Sequence, residues 1–332
     1  MEIRKVQVTG GSSYVLTLPK EWIKSVNIKK NDPLGIVVQP DGTLIVTAKT
    51  TTEQLQKTKE INVDDAADPV HLFRLLIGAY IMGFTTIEIR SRTKIDPLIR
   101  ESVIEFTQIA IGPEIIEESK NLIVVKDLLS PTEMPFDKTI RRMYILVRSM
   151  HEDAISALKA RDPELARSVV ERDRELDRLN WLVARQSNVV LRDLTLAKKM
   201  EVSPEEASYY QNISRHLERI GDHAVRLAQS SQELGDGKLE SKVMGTIFSA
   251  SQASLDLLKN SVDAWFRKDL NAANDNLDNV KKLTKVCEDI THEAMKVKGA
   301  SAVSISYIAE SIRRTGELSG DISEIVINNL VK

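Results

Sequence analysis

The stretch ISRHLERIGDHAVRLAQ, residues 213–229, decides how most of this chain folds. At helical spacing Ile213, Leu217, Ile220, Ala224 and Leu227 form one apolar stripe, and Glu218 and Asp222 lie together on its flank, one turn apart. Two like charges so placed repel, by roughly 0.2–0.5 kcal/mol when exposed and by more when half buried. A cation is therefore expected beside them, either an arginine or a metal ion.

Upstream, PELARSVVERDRELDRLNWLVARQ (163–186) repeats the arrangement. Leu165, Val169, Leu176, Leu179 and Val183 make the stripe, and Asp173 and Asp177 occupy its flank. If the two helices pack antiparallel, four carboxylates converge without any cysteine or histidine. Such an oxygen-rich set suits a hard cation, ferric iron, Mg²⁺, Mn²⁺ or Ca²⁺, with zinc less favoured without nitrogen or sulfur ligands. The competing reading is a salt-bridge lattice in which Arg172, Arg178 and Arg215 hold the acids.

The same rhythm returns further along. A shift of 95 places ISRHLERIGDHAVRLAQ over IAESIRRTGELSGDISE (308–324), matching Ile213 with Ile308, Gly221 with Gly316 and Asp222 with Glu317. A shift of 107 places residues 160–180 over 267–287. Pro131 and Pro135 mark the start of this region and further prolines and glycines divide it into roughly six helices, giving two three-helix repeats, about 136–232 and 238–332. The second repeat is degenerate: Val280 and Thr284 stand opposite Asp173 and Asp177, and Arg313 opposite Glu218. One acidic site is expected, with Glu310 and Glu317 as exposed helix charges.

The strings ERDRELDRL and HLERIGDHAVRLA closely resemble the acidic signatures of the PhoU family of phosphate-uptake regulators, over about residues 136–332. The resemblance implies a bundle of two three-helix repeats whose D-x-x-x-D and E-R-x-x-D motifs hold a metal cluster, often iron. It makes Asp173, Asp177, Glu218 and Asp222 the ligands, and Gly221 the place where the neighbouring helix comes close. His223 points about 100° away from Asp222 on the helix and is read as a surface or interhelix group.

The first 50 residues read differently. VQVTGGSSYVLTLPKEW and PLGIVVQPDGTLIVTAK alternate apolar and polar side chains, with a helix at PKEWIKSVNI and a two-residue turn expected at Asp41-Gly42. The core TGGSSYVLTLPKEWIKSVNIKKNDPLGIVVQPDGTLIV resembles the AbrB-like swapped-hairpin family, which implies an interleaved homodimer that often binds DNA. Seven Lys or Arg against four Asp or Glu give this module +3, while the whole chain carries −2. Arg4, Lys5, Lys20 and Lys24 are its candidate phosphate contacts, and a solvated edge of scattered lysines is the alternative.

Residues 51–66 read as a polar linker or strand exit. The segments that follow alternate helix and strand: PVHLFRLLIGAYIMGF, TTIEIRS, DPLIRESVIEFTQIA, then two strands in PEIIEESKNLIVVKDLL. None carries a phosphate loop, a metal-ligand pair or a nucleophile with its base; His71 is read as structural. The expected organisation is multi-domain: an AbrB-like β module (1–50), a small α/β spacer (51–130) and an all-α PhoU-like pair of three-helix bundles (136–332).

The longest apolar run, LLIGAYIMGF (75–84), is about half of the roughly 20 residues a membrane helix needs. The lone Cys287 excludes an internal disulfide, and the expectation is a cytoplasmic protein without membrane insertion. The resemblances imply a non-enzymatic regulator of phosphate uptake, with a transporter ATPase or signalling kinase as partner and promoter DNA as a further target. Two alternatives are a DNA-binding repressor that uses the bundle as a dimeriser, and a carboxylate-bridged metalloenzyme. The latter is disfavoured because no glutamate has a histidine three residues on.

Overall fold

The computed structural model describes residues 2–38, 42–48, 57–64, 68–234, 241–297 and 299–331. The chain divides into two compact units, 1–54 and 55–332.

In the first unit, β1 (Gln7–Thr9) and β2 (Ser13–Val15) pair antiparallel around Gly10 and Gly11, whose φ values of 66° and 83° require glycine. The helix α1 (Lys20–Ser25) follows, then the antiparallel pair β3 (Gly35–Val38) and β4 (Leu44–Thr47). Val38 lies opposite Leu44, and the two-residue turn expected at Asp41-Gly42 falls between them. Asp41 itself lies outside the described residues. Alternation makes these hairpins amphipathic, yet no described residue of the unit is buried. Val8, Tyr14, Ile36 and Val38 are all more than 60% exposed. Two isolated hairpins cannot cover their own apolar faces.

The second unit begins with β5 (Thr58–Asn62), inside the segment expected to be a linker. It pairs in parallel with β6 (Thr86–Arg90) and forms the edge of a four-stranded sheet of order β5-β6-β8-β7, where β7 is Pro113–Glu118 and β8 is Leu122–Asp127. An edge strand with one neighbour exposes most of its side chains, so TKEIN carries only Ile61 into the core and shows no apolar run. Helix α2 (Pro69–Ile81) and helix α3 (Pro97–Ile109) cover the sheet. Both start with a capping aspartate, Asp68 or Asp96, followed by proline. Leu76, Ile89, Val103, Phe106 and Ile123 are fully buried between the layers.

The remaining chain is helical: α4 (Phe136–Ala160), α5 (Pro163–Val190), the short α6 (Leu194–Lys199), α7 (Pro204–Glu233), α8 (Ser241–Arg267), α9 (Leu270–Ala294) and α10 (Ala300–Leu330). Helices α4, α5 and α7 form one three-helix unit and α8, α9 and α10 the other, joined where α7 packs on α10. The repeat extends to backbone detail. Arg161 and Lys268, 107 residues apart, both adopt left-handed geometry, φ 55° and 54°, between the first two helices of their units. Asp162 and Asp269 follow as caps of α5 and α9. The core is shared between the units, since Leu176 and Leu217 of the first cluster with Leu258 and Ile322 of the second.

The sheet layer is fixed to the bundle by α5. Trp181 packs against the sheet core. Arg185, Asn188 and Arg192 donate to the carbonyls of Tyr80, Ile81, Met82 and Phe84, which end α2 or follow it. These orphan acceptors at the negative end of the helix dipole are satisfied by side chains of another element. No helix among the described residues is long and apolar enough to cross a membrane.

Candidate functional site

Asp173 and Asp177 project from the middle of α5, and Glu218 and Asp222 from the middle of α7. Gly221 explains how the helices come so near: a Cβ there would overlap Leu176 Cδ2 and stand 3.6 Å from Asp173 Oδ1. Gly316 does the same in the second repeat, where the Cβ would meet Leu283, the residue 107 positions after Leu176.

All four carboxylates lie within reach of one another's charge. Asp173, Asp177 and Glu218 are half-buried and Asp222 is exposed. Burial first, then the charges of Asp177 and Asp222, push Asp173 up to about 6. Burial and then Asp222, Asp177 and Asp173 push Glu218 up to about 7. Asp177 and Asp222 are raised as well, the latter with an opposing contribution from Arg219.

Among the described residues none of the four makes a hydrogen bond or ion pair. The arginines expected to hold them are engaged elsewhere. Arg172 binds Asp153 at 2.6 Å and Ser149 at 2.9 Å, and Arg178 pairs with Glu175 at 3.2 Å. Arg215 is exposed and makes no such contact among the described residues. The salt-bridge lattice is therefore absent from this face.

The donor set fits a hard cation in type, with up to eight carboxylate oxygens and no competing partner. As the side chains stand, no three His, Cys, Asp or Glu among the described residues are gathered around one point. Holding an ion requires rotation of these carboxylates.

The second repeat has no such face. Arg313, opposite Glu218 by register, is clasped by Glu310 through two bonds of 2.8 and 2.9 Å and also donates to Glu317, which Arg314 engages at 2.6 Å. Glu310 and Glu317, expected as exposed helix charges, are thus partners of arginines, a pairing the repeat alignment did not bring out.

His71, expected as a structural histidine, is exposed on α2. His223 is half-buried on α7, with its Nδ1 buried and without a hydrogen-bond partner. Of the candidate phosphate contacts in the first unit, Arg4 is already bound by Glu2 and by Thr17 at 3.2 Å. Lys5, Lys20 and Lys24 are exposed, the last two one turn apart on α1.

Residues 140–231, which include all four carboxylates, match the PhoU domain family model. This chain carries a PhoU domain. The first unit matches a second model over residues 7–54, that of the antidote-toxin recognition protein MazE, a bacterial antitoxin. The phosphate-specific transport system accessory protein PhoU homolog 1 of Thermotoga maritima is 23% identical over 196 residues, covering 57% of this chain and 82% of that protein. The corresponding PhoU homolog of Caulobacter vibrioides is 25% identical over 193 residues, covering 56% and 83%. The crystal structure of PhoU from Pseudomonas aeruginosa aligns with a TM-score of 0.52 at 21% identity, over 59% of this chain and 95% of that one. This last likeness concerns the fold of the PhoU helices alone.

Proposed function

We propose that this protein is a regulatory accessory protein of a phosphate transport system, and that the α5–α7 face holds a hard metal ion, iron foremost. The observation carrying the second part is that Asp173, Asp177, Glu218 and Asp222 lie within reach of one another's charge on a PhoU domain and make no hydrogen bond or ion pair among the described residues. A bound cation would offset their mutual repulsion; the four carboxylates would hold it while Gly221 keeps the helices close. The reading is of a regulator without catalysis, since the face is an open helix surface with no nucleophile and base beside it. A transporter ATPase or signalling kinase is the partner class proposed.

The first unit supports a companion reading. Its uncovered apolar hairpin faces fit pairing with a second copy, and Lys5, Lys20 and Lys24, exposed and without an ion pair among the described residues, suit DNA phosphates.

Elemental analysis of the purified chain, beside an Asp173→Ala, Asp222→Ala double variant, tests the metal site. Stoichiometric metal in the first and none in the second is expected. Absence of metal from the parent protein, even after reconstitution, would sink that reading. Gel-shift titrations at two salt concentrations, with Lys20→Glu, Lys24→Glu as comparison, test the DNA reading. Unaltered retardation by the variant would remove these lysines from it.

A further inference from the structure

A cleft of about 570 Å³ opens between α7 and α10, where the two repeats meet. Its walls bring Arg219, His223 and Arg226 from one helix against Tyr307 and Arg314 from the other. The positive charge there is less neutralised than around five other arginines of the bundle. Arg142, Arg148, Arg167, Arg172 and Arg178 each face a carboxylate. Arg219, by comparison, makes no hydrogen bond or ion pair among the described residues. Arg226 only lies over the Tyr307 ring, 4.1 Å from its centroid. Arg314 shares Glu317 with Arg313. Asp222 and Glu233 also reach the walls, leaving three guanidinium groups against two carboxylates. The unpartnered Nδ1 of His223 adds a polar atom with no ligand of its own.

The spacing sets the size of what would fit. Arg219 and Arg226 are seven residues apart on one helical face, so their stems are offset by about 10 Å along the axis. Arg314 faces them from the other helix. An anion whose charges are strung out matches that offset and can engage successive planar forks bidentately. The volume lies within the range of roughly 300–1,000 Å³ usual for small-molecule sites.

We propose that this cleft is a binding site for small phosphoryl anions with linked phosphate groups, contacted by Arg219, Arg226 and Arg314. The cleft shares Asp222 with the proposed metal face, and its test is therefore run on metal-free protein. Linked phosphates could come from a nucleotide or from an inorganic chain, and the arms of the test separate the two.

Isothermal titration of the full chain, freed of metal with a chelator, would use pyrophosphate, ADP, inorganic phosphate and succinate in turn. Pyrophosphate or ADP should bind, and more weakly as salt is raised. Tighter binding of ADP would identify an organic ligand against Tyr307; equal binding would identify an inorganic one. Arg219→Gln, Arg226→Gln should weaken the interaction by about tenfold or more, the loss of two charge-assisted contacts, while Arg167→Gln, at a residue that pairs with Glu164 and does not line the cleft, leaves it unchanged. Should the double variant misfold by circular dichroism, Arg226→Lys keeps the charge without the planar fork and should lie in between. No heat with either phosphoryl ligand at millimolar concentration, succinate binding as tightly, or binding indifferent to these substitutions would each overturn the proposal. Because the metal is removed beforehand, these outcomes are independent of the elemental analysis above.

Discussion

Arg185 on α5 and Asp127 on β8 form an ion pair of 2.6 Å with both side chains less than 10% exposed. The same guanidinium donates to the Tyr80 and Phe84 carbonyls and stacks at 4.8 Å on the Tyr80 ring. One side chain thus satisfies the end of a helix, a buried carboxylate and an aromatic face, and joins the sheet layer to the bundle. Burial still holds the Asp127 carboxyl above its ordinary range despite the arginine beside it. Desolvation therefore exceeds attraction, and the pair sets position more than it adds stability.

Arg185→Leu should consequently be costly, by about 3–5 kcal/mol, because it strands Asp127 and the carbonyls in a dry interface. Asp127→Asn leaves the carbonyl contacts intact and should cost less. Urea unfolding followed by circular dichroism checks both, and a separate early transition of the sheet layer is expected in Arg185→Leu.

Gly221→Ala sets helix propensity against packing. Alanine gains about 1 kcal/mol in a helix interior, while the added methyl overlaps Leu176 in a site with no slack, a penalty of about 1–3 kcal/mol. Packing should win and the variant should melt lower. Leu176→Ala in the same chain should recover part of the loss, so that the two changes together cost less than their sum.

His151 is fully buried on α4 and makes a 2.9 Å hydrogen bond with Ser251 on α8. Burial pulls its pKa down to about 4. The unfolded chain takes up this proton below its ordinary value of about 6.5, whereas the native state refuses it until about 4. The stabilisation is complete above the upper limit and is lost as pH falls through that window, by about 3 kcal/mol in all. His151→Gln should flatten the acid limb of a stability-versus-pH profile measured by thermal melting.

Glu218 has the opposite sign. Its native pKa of about 7 lies above the unfolded value, so ionising it costs the metal-free protein stability as pH rises through that range. Glu218→Gln, which imitates the protonated acid, should raise the melting temperature at pH 8 and leave it unchanged at pH 5. Half exposure limits the gain to about 1 kcal/mol, or roughly 2–4 °C. If the face holds a metal ion, adding that metal should reverse the ranking of the two proteins.

Much of the PhoU region was legible because its signals are periodic. The 95-residue and 107-residue shifts, the paired glycines and the flanking acids all follow from the 3.6-residue turn, and the folded helices keep that register down to Leu176 and Leu283. The missed features arise between segments distant in sequence. TKEIN is a strand through pairing with β6, and its polarity only reports that it lies at an edge. Arg185 resembles any other helix arginine until Tyr80, Phe84 and Asp127 are placed around it, over separations of 58 to 105 residues. The cleft arginines were hidden likewise, since Arg219 and Arg226 meet Arg314 only when the repeats close on each other. The side chains assigned to the acidic face could be found early because each helix presents two of its members within a single turn.

Arg313 gives the duplication an asymmetry in time as well as in charge. Its guanidinium is tethered to α10 and clasped there by Glu310 and Glu317 of the same helix. If an ion fills the corresponding place in the first half, it is one that diffuses in and can leave again. One half would then be a fixed reference and the other a variable arm, joined along the α7–α10 seam, and an ion-dependent change would arise as a one-sided tilt of the first half against its twin.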